Sequence, residues 1–259
     1  MHIRWCPTGP FISLPVHAAA AYSEDQLPLE SLSDYVMSSY TPTLSALLFS
    51  LPKSLDTPFP CKVLAVIQPN TPKLSHLPGA IKELSMIEKR VSESGHVLKS
   101  LVGNQATVDT VLGDMKDCSV VHFACHGIQD ATDPLNSRLI LDDGPLPLSK
   151  LIYTKLPNAQ LAFLSACQTA KGEKELPDEA VHLAAGMLAA GFKSVIGTMW
   201  SISDNAAPIV ADGVYARLFK DGKLESGKVA EALHYAVEDL RKRDPSDFTA
   251  WVPFIHMGK

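Results

Sequence analysis

From Lys62 onward, short apolar runs alternate with longer stretches whose apolar positions recur at helical spacing. Val63–Gln68, Val120–Ala124 and the run starting at Leu161 are each the length of a strand, and runs with little polar alternation suit strands buried on both faces of a parallel sheet. His96–Val102 reads as a further strand. Pro78–Ser94 carries Ile81, Leu84, Ile87, Glu88 and Val91 at helical spacing, and Thr107–Met115 is a second helix. Strand alternating with helix predicts an α/β fold with a mostly parallel central sheet and helices on both faces.

Ser137–Asp142 and Gly144–Leu148 read as a hairpin excursion, followed by a short helix to Tyr153. Ala180–Ala190 is a helix of small residues with Gly191 as its C-cap. Ser194–Trp200 is a strand, Asn205–Phe219 and Ser226–Arg243 are helices, and Trp251–Met257 closes the sheet as a last strand. The first sixty residues behave differently. Pro7, Pro10, Pro15, Pro28, Pro42, Pro52, Pro58 and Pro60 leave room only for short elements. Strands are expected near Ile3–Cys6, Phe11–Leu14 and Tyr35–Tyr40, with a helix from Thr43 to Phe49. Residues 1–60 and the α/β core of 61–259 are read as one domain.

Composition narrows the partners. With 259 residues, of which 46% are hydrophobic, the chain can bury a sizeable core. A net charge of −5 with no long basic block argues against nucleic acid or an anionic membrane as the main partner. No run approaches the roughly 18 apolar residues of a membrane span, and the start lacks the apolar segment of a signal peptide. Cys6, Cys61, Cys118, Cys125 and Cys167 form an odd set without metal spacing, which fits reduced thiols in a cytoplasmic protein. Clustered Cys and His without a third ligand disfavour a metal. No Gly-x-Gly-x-x-Gly follows Val63–Gln68, so no cofactor is expected. The abrupt start on a strand suggests a piece of a longer chain.

Two strand ends carry the candidate chemistry. Leu161–Thr169 reads Leu-Ala-Phe-Leu-Ser-Ala-Cys-Gln-Thr, and Ser119–Gly127 reads Ser-Val-Val-His-Phe-Ala-Cys-His-Gly. If these strands are parallel neighbours, the Cys167 thiol and the His126 imidazole meet at the carboxyl edge of the sheet, where open α/β folds place ligands. A thiolate is the nucleophile, and a nearby histidine can take its proton. Gly127, without a side chain, can offer its N–H to a developing oxyanion beside the Cys167 N–H. His126 is taken as the last residue of its strand. His122 reads as a core residue, and Cys125 points to the opposite face. The polar stretch Ala170–Glu179 reads either as a substrate wall or flap beside the nucleophile, or as an ordinary solvated connection.

The His-Gly and Ala-Cys pair resembles the caspase-like cysteine peptidases, and within that clan the CHAT family. Ala185–Trp200, followed by Ser-Ile-Ser-Asp204, is similar to the family's small apolar helix, Ala-Gly, strand and Trp-x-Ile/Val-x-Asp pattern. Arg4–His17 resembles its amino-terminal strand pair. The resemblance implies a cysteine endopeptidase with a His-Cys dyad, its imidazole held by a backbone carbonyl. It also implies a protein substrate, a regulatory repeat domain or activating partner, and limited proteolysis in signalling or regulated cell death. Within the family the chain resembles the C-terminal domains of fungal tetratricopeptide-repeat CHAT proteins. Asp204 would be a substrate-binding residue, since the similar aspartate of separases belongs to the region that receives a basic P1 side chain. Such a carboxylate would favour arginine over lysine, although other CHAT proteins are thought to accept uncharged P1 residues. The competing reading of Asp204 is a helix cap, and the competing reading of the whole chain is a catalytically silent caspase-like interaction domain.

Overall fold

The computed structural model describes residues 1–22, 28–48, 60–130, 133–165 and 180–258. The proline-rich segment forms β1 (His2–Trp5), the hairpin β2 (Ala20–Tyr22) and β3 (Pro28–Ser31), then β4 (Met37–Tyr40) and α1 (Leu44–Leu48). Next come β5 (Lys62–Ile67), α2 (Pro78–Glu93), β6 (Val97–Val102), α3 (Val108–Met115) and β7 (Val120–Ala124). A three-stranded excursion, β8 (His126–Ile128), β9 (Arg138–Ile140) and β10 (Pro145–Pro147), leads into α4 (Leu148–Ile152). The chain ends with β11 (Leu161–Leu164), α5 (Ala180–Ala189), β12 (Ser194–Thr198), α6 (Ala206–Leu218), α7 (Val229–Arg243), α8 (Phe248–Trp251) and β13 (Phe254–Gly258).

Eight strands form the main sheet in the order β1-β4-β13-β12-β11-β7-β5-β6, and only the β12–β13 pair is antiparallel. The unbroken apolar runs follow from cover on both faces. Val63, Val120, Leu161, Phe163 and Ile196 pack on one face with residues of α2, α6 and α7. Leu64, Val66, Val121, Phe123, Ala162, Leu164 and Val195 pack on the other with α3, α4 and α5. Burying each such side chain contributes roughly 1.5–3 kcal/mol against the entropy of ordering the chain. This is the α/β architecture that the periodicity predicts. Among the described residues no helix is long and apolar enough to cross a membrane.

Three expectations are corrected. Phe11–Leu14 is not a strand: Gly9–Ser13 is a 3₁₀ turn with Pro10 in its first positions, and β1 pairs instead with β4. Trp251–Met257 does not close the sheet. The final strand forms as β13 (Phe254–Gly258), but Trp251 ends α8 and β13 lies inside the sheet, paired with β12 on one side and β4 on the other. His126 is not the last residue of its strand, since β7 stops at Ala124 and His126 opens β8.

The amino-terminal segment is tied in by His17. Its Nε2–H donates to the Val252 carbonyl (2.9 Å), so Nδ1 accepts from the Tyr40 hydroxyl (2.7 Å). The second bond needs the neutral ring, because a protonated Nδ1 can no longer accept. Burial holds the imidazole down at about 4, against 6.5 unfolded and despite the opposing Val252 bond. Between these values the unfolded chain takes up a proton that the folded chain refuses. Stability therefore falls as pH drops from 6.5 toward 4, by about 3 kcal/mol at the foot of the window, and is unaffected by this group above 6.5. Urea unfolding between pH 7.5 and 4.5 should show the wild type losing stability relative to His17→Gln, at up to about 1.4 kcal/mol per pH unit. A difference independent of pH would contradict this account.

Candidate active site

The chain steps from β5 outward to β6, then reverses to β7, β11 and β12. The reversal opens a crevice beyond the carboxyl ends of β5 and β7, where such sheets bind ligands. Gln68 N–H still donates to the Ala124 carbonyl at 2.8 Å, after which the two strands part. Beyond Ala124 the backbone bends at Cys125 and is captured by β9, with His126 opposite Ile140 and Gly127 opposite Leu139.

His126 is fully buried, and its Nε2–H donates to the carbonyl oxygen of Ser75 at 2.7 Å. A carbonyl can only accept, so in the neutral ring the proton sits on Nε2 and Nδ1 keeps its lone pair. Nδ1 is buried and has no hydrogen-bond partner among the described residues. Ser75 lies in the loop between β5 and α2, which is braced by Leu74 N–H to Thr71 O (3.1 Å) and Leu77 N–H to Pro69 O (2.9 Å). The Gln68 side-chain amide and the Thr71 hydroxyl, in the same loop, are likewise buried without partners.

The other side of the crevice is β11. It is the parallel neighbour of β7, with Leu164 opposite Phe123, and Ser165 N–H extends the ladder to the Phe123 carbonyl at 2.8 Å. The two runs are thus adjacent and end at the same edge, as their sequences suggest. Cys167 and the Ala170–Glu179 stretch lie outside the described residues. Cys125 is buried on the α3 face, and His122 is a core residue on the opposite face, as expected. Burial pushes the Cys61 and Cys118 thiols up to about 12 and about 11, which makes them poor nucleophiles.

A narrow cleft runs from Ser165 between α2 and the entry to α6. Asp204 stands exposed at its edge, so the sheet places Asp204 beside the end of β11. The capping alternative is not what forms: α6 begins at Ala206, its N-cap is Asn205, and no side-chain cap bond is made there. Sequence reasoning missed Gly79, whose α-carbon packs on the Asp204 main chain. A methyl group there would come within 2.5 Å of the Asp204 carbonyl oxygen. It also missed Glu83. The helical pattern puts Ile81 inside, yet Ile81 is 48% exposed and Glu83 only 1%. The available signal was the row Glu83, Ile87, Val91, one charge in an i, i+4, i+8 apolar stripe. Glu83 Oε1 lies 3.0 Å from His122 Nε2 without hydrogen-bond alignment, and His122 Nδ1 is 3.0 Å from the Tyr215 hydroxyl. Burial, and then the Glu83 charge, push the Tyr215 hydroxyl well above its ordinary value.

No curated protein sequence matches the chain. Among solved structures it is similar to the Arg-specific cysteine proteinase gingipain R (RgpB), with TM-score 0.54, 10% identity, and coverage of 76% of this chain and 46% of that one. The complex of Porphyromonas gingivalis RgpB pro- and mature domains matches with TM-score 0.53, 10% identity, and coverage of 76% and 47%. The Saccharomyces cerevisiae separase of the separase–securin complex matches with TM-score 0.56, 15% identity, and coverage of 88% and 14%. This chain therefore spans less than half of the gingipain chain and about a seventh of the separase chain. Such likeness shows the fold, the caspase-like α/β fold of cysteine proteases. The CHAT domain family matches over residues 1–259, and the chain belongs to that family.

Proposed function

We propose that the chain is a cysteine endopeptidase in which His126 activates the Cys167 thiol. One observation carries the reading: a buried imidazole, its Nε2–H given to the Ser75 carbonyl, keeps an Nδ1 with no partner among the described residues at the sheet edge where β11 ends, three residues before Cys167. In the acylation step Sγ of Cys167 bonds to the scissile carbonyl carbon while its proton passes to Nδ1. The Ser75 carbonyl then stabilises the imidazolium through the same Nε2–H. The oxyanion is received by the N–H groups of Gly127 and Cys167. Collapse breaks the C–N bond as Nδ1–H protonates the leaving amine. A water that gives its proton back to Nδ1 then releases the acyl group and the thiol.

Asp204, exposed at the edge of the cleft, is the substrate-binding residue of this reading, and a basic P1 side chain is its ligand. That the gingipain neighbour is Arg-specific supports that choice. The family resemblance supports limited proteolysis of a protein substrate, in signalling or regulated cell death, in the cytoplasm. Control would come from an attached repeat domain or a protein partner, as securin partners the separase neighbour.

Cys167→Ala should abolish cleavage of a peptide library without lowering the melting temperature, and His126→Ala should reduce it by orders of magnitude. Cleavage that survives in clean Cys167→Ala protein would rule out the mechanism. Iodoacetamide mapped by mass spectrometry should label Cys167 well before Cys61 or Cys118.

Asp204→Ala should lower kcat/KM for basic-P1 substrates at least tenfold more than for Leu-P1 substrates. Gly79→Ala, which forces the Asp204 main chain to move, should shift the same ratio in the same direction with Asp204 intact. An unchanged ratio in both variants, or a wild-type preference for uncharged P1 residues, would remove Asp204 from the pocket.

A further inference from the structure

We propose that Glu83 is a second carboxylate of the P1 pocket, set at its floor below Asp204, and that the pocket's ligand is a slim alkyl chain ending in a cation. The inference rests on reading the cleft as the P1 pocket. Glu83 lines the cleft together with Ser165 and Asp204, but it projects from α2 and is 1% exposed where Asp204 is open to solvent. No hydrogen bond reaches its carboxylate among the described residues. Its one polar contact is His122 Nε2, 3.0 Å away and out of line. A buried carboxylate without donors is costly unless something else compensates it. Among the described residues no Lys, Arg or His lines the cleft, so the two acids face it there without an opposing cation.

The space fits the same ligand. Gly79, Ala80, Ala124 and Ala207 line the cleft with little bulk, leaving ≈ 20 Å³, room for one water-sized group. An ammonium head is of that size, and its methylene chain would lie toward the open edge of the cleft. A guanidinium needs the slot to widen, and the Gly79–Asp204 contact is the seam along which it can. A purely structural Glu83, serving only to neighbour His122, would make a different prediction. A buried ion pair adds little net stability, and its loss would affect all ligands alike.

Binding to the Cys167→Ala protein, followed by NMR titration, tests this without requiring catalysis. The probes are n-pentylammonium, n-butylguanidinium and the uncharged n-pentanol. Both cations should bind at least tenfold more tightly than the alcohol, and Glu83→Gln should weaken them at least tenfold while leaving the alcohol unchanged. Equal affinity for alcohol and cation, no cation binding at all, or cation binding indifferent to Glu83→Gln would each overturn the proposal. Should Glu83→Gln not fold, Glu83→Asp decides: with the charge withdrawn by one methylene, the best ligand should lengthen from n-pentylammonium to n-hexylammonium. An unmoved optimum would overturn the assignment. Cation binding by a protein with no Cys167-dependent cleavage would sink the peptidase reading alone, and cleavage after Leu without cation binding would sink the pocket alone.

Discussion

The reversal of strand order between β5 and β7 is the constraint on which the site depends. Everywhere else in the parallel block β12-β11-β7-β5-β6, the connection joins neighbouring strands. At the reversal the connections diverge, one leading outward to β6 and the other inward to β11. The carboxyl ends of β5 and β7 are left facing a gap. Main-chain groups that leave the ladder there must find other partners. The β8–β9 ladder supplies them for His126 to Ile128, while the Ser75 carbonyl of the β5–α2 loop accepts the His126 side-chain Nε2–H.

The walls of the cleft are held by stronger means than its floor. Arg90 on α2 grips Asp212 on α6 through two bonds, Nε to Oδ1 at 2.7 Å and Nη2 to Oδ2 at 2.9 Å. That planar fork fixes the two helices relative to each other, and it holds the Asp212 carboxyl below its usual range. Between the same helices the Glu83–His122–Tyr215 group is far less well satisfied. A core selected for stability alone would be better served there by apolar side chains. Poorly satisfied polar groups beside well-braced helices are what a binding cleft requires, because a ligand can then complete what the protein leaves open.

Much of this was legible in the sequence, for physical reasons that also mark where legibility ends. Strands covered on both faces must be apolar throughout, so β5, β7 and β11 announce themselves. Their adjacency follows from the winding rules for parallel sheets. Position along a strand gave the face of His122 and of Cys125. What failed depended on contacts distant in sequence. Phe11–Leu14 has the hydrophobicity of a strand, but Pro10 favours a turn and β4 already occupies the edge of β1. The inner position of β13 follows from β4, some 200 residues upstream, docking on it at Tyr40 and Met257. Nothing in local pattern marks Ser75, whose role is played by a main-chain oxygen that every residue possesses. Gly79 and Glu83 were hidden by the same cause: each matters because of what α6 and β7 bring against α2.

The β5–α2 loop joins two functions that could have been separate. Its Ser75 carbonyl sets the tautomer of His126, and the helix it leads into lays Gly79 against the main chain of Asp204. A shift in this loop would therefore disturb the proposed base and the proposed specificity carboxylate together. The loop contains Lys73 in the left-handed region at φ 69°, a conformation that costs a non-glycine residue roughly 1–3 kcal/mol. It also contains the buried, unpaired Gln68 amide and Thr71 hydroxyl. Against these unfavourable contributions stand two main-chain hydrogen bonds within the loop and the bond to His126. So fine a balance makes the loop easier to displace than the sheet that carries it. The orientation of His126 and the placement of Gly79 against Asp204 consequently rest on the same few weak interactions, and whatever moves the loop acts on both.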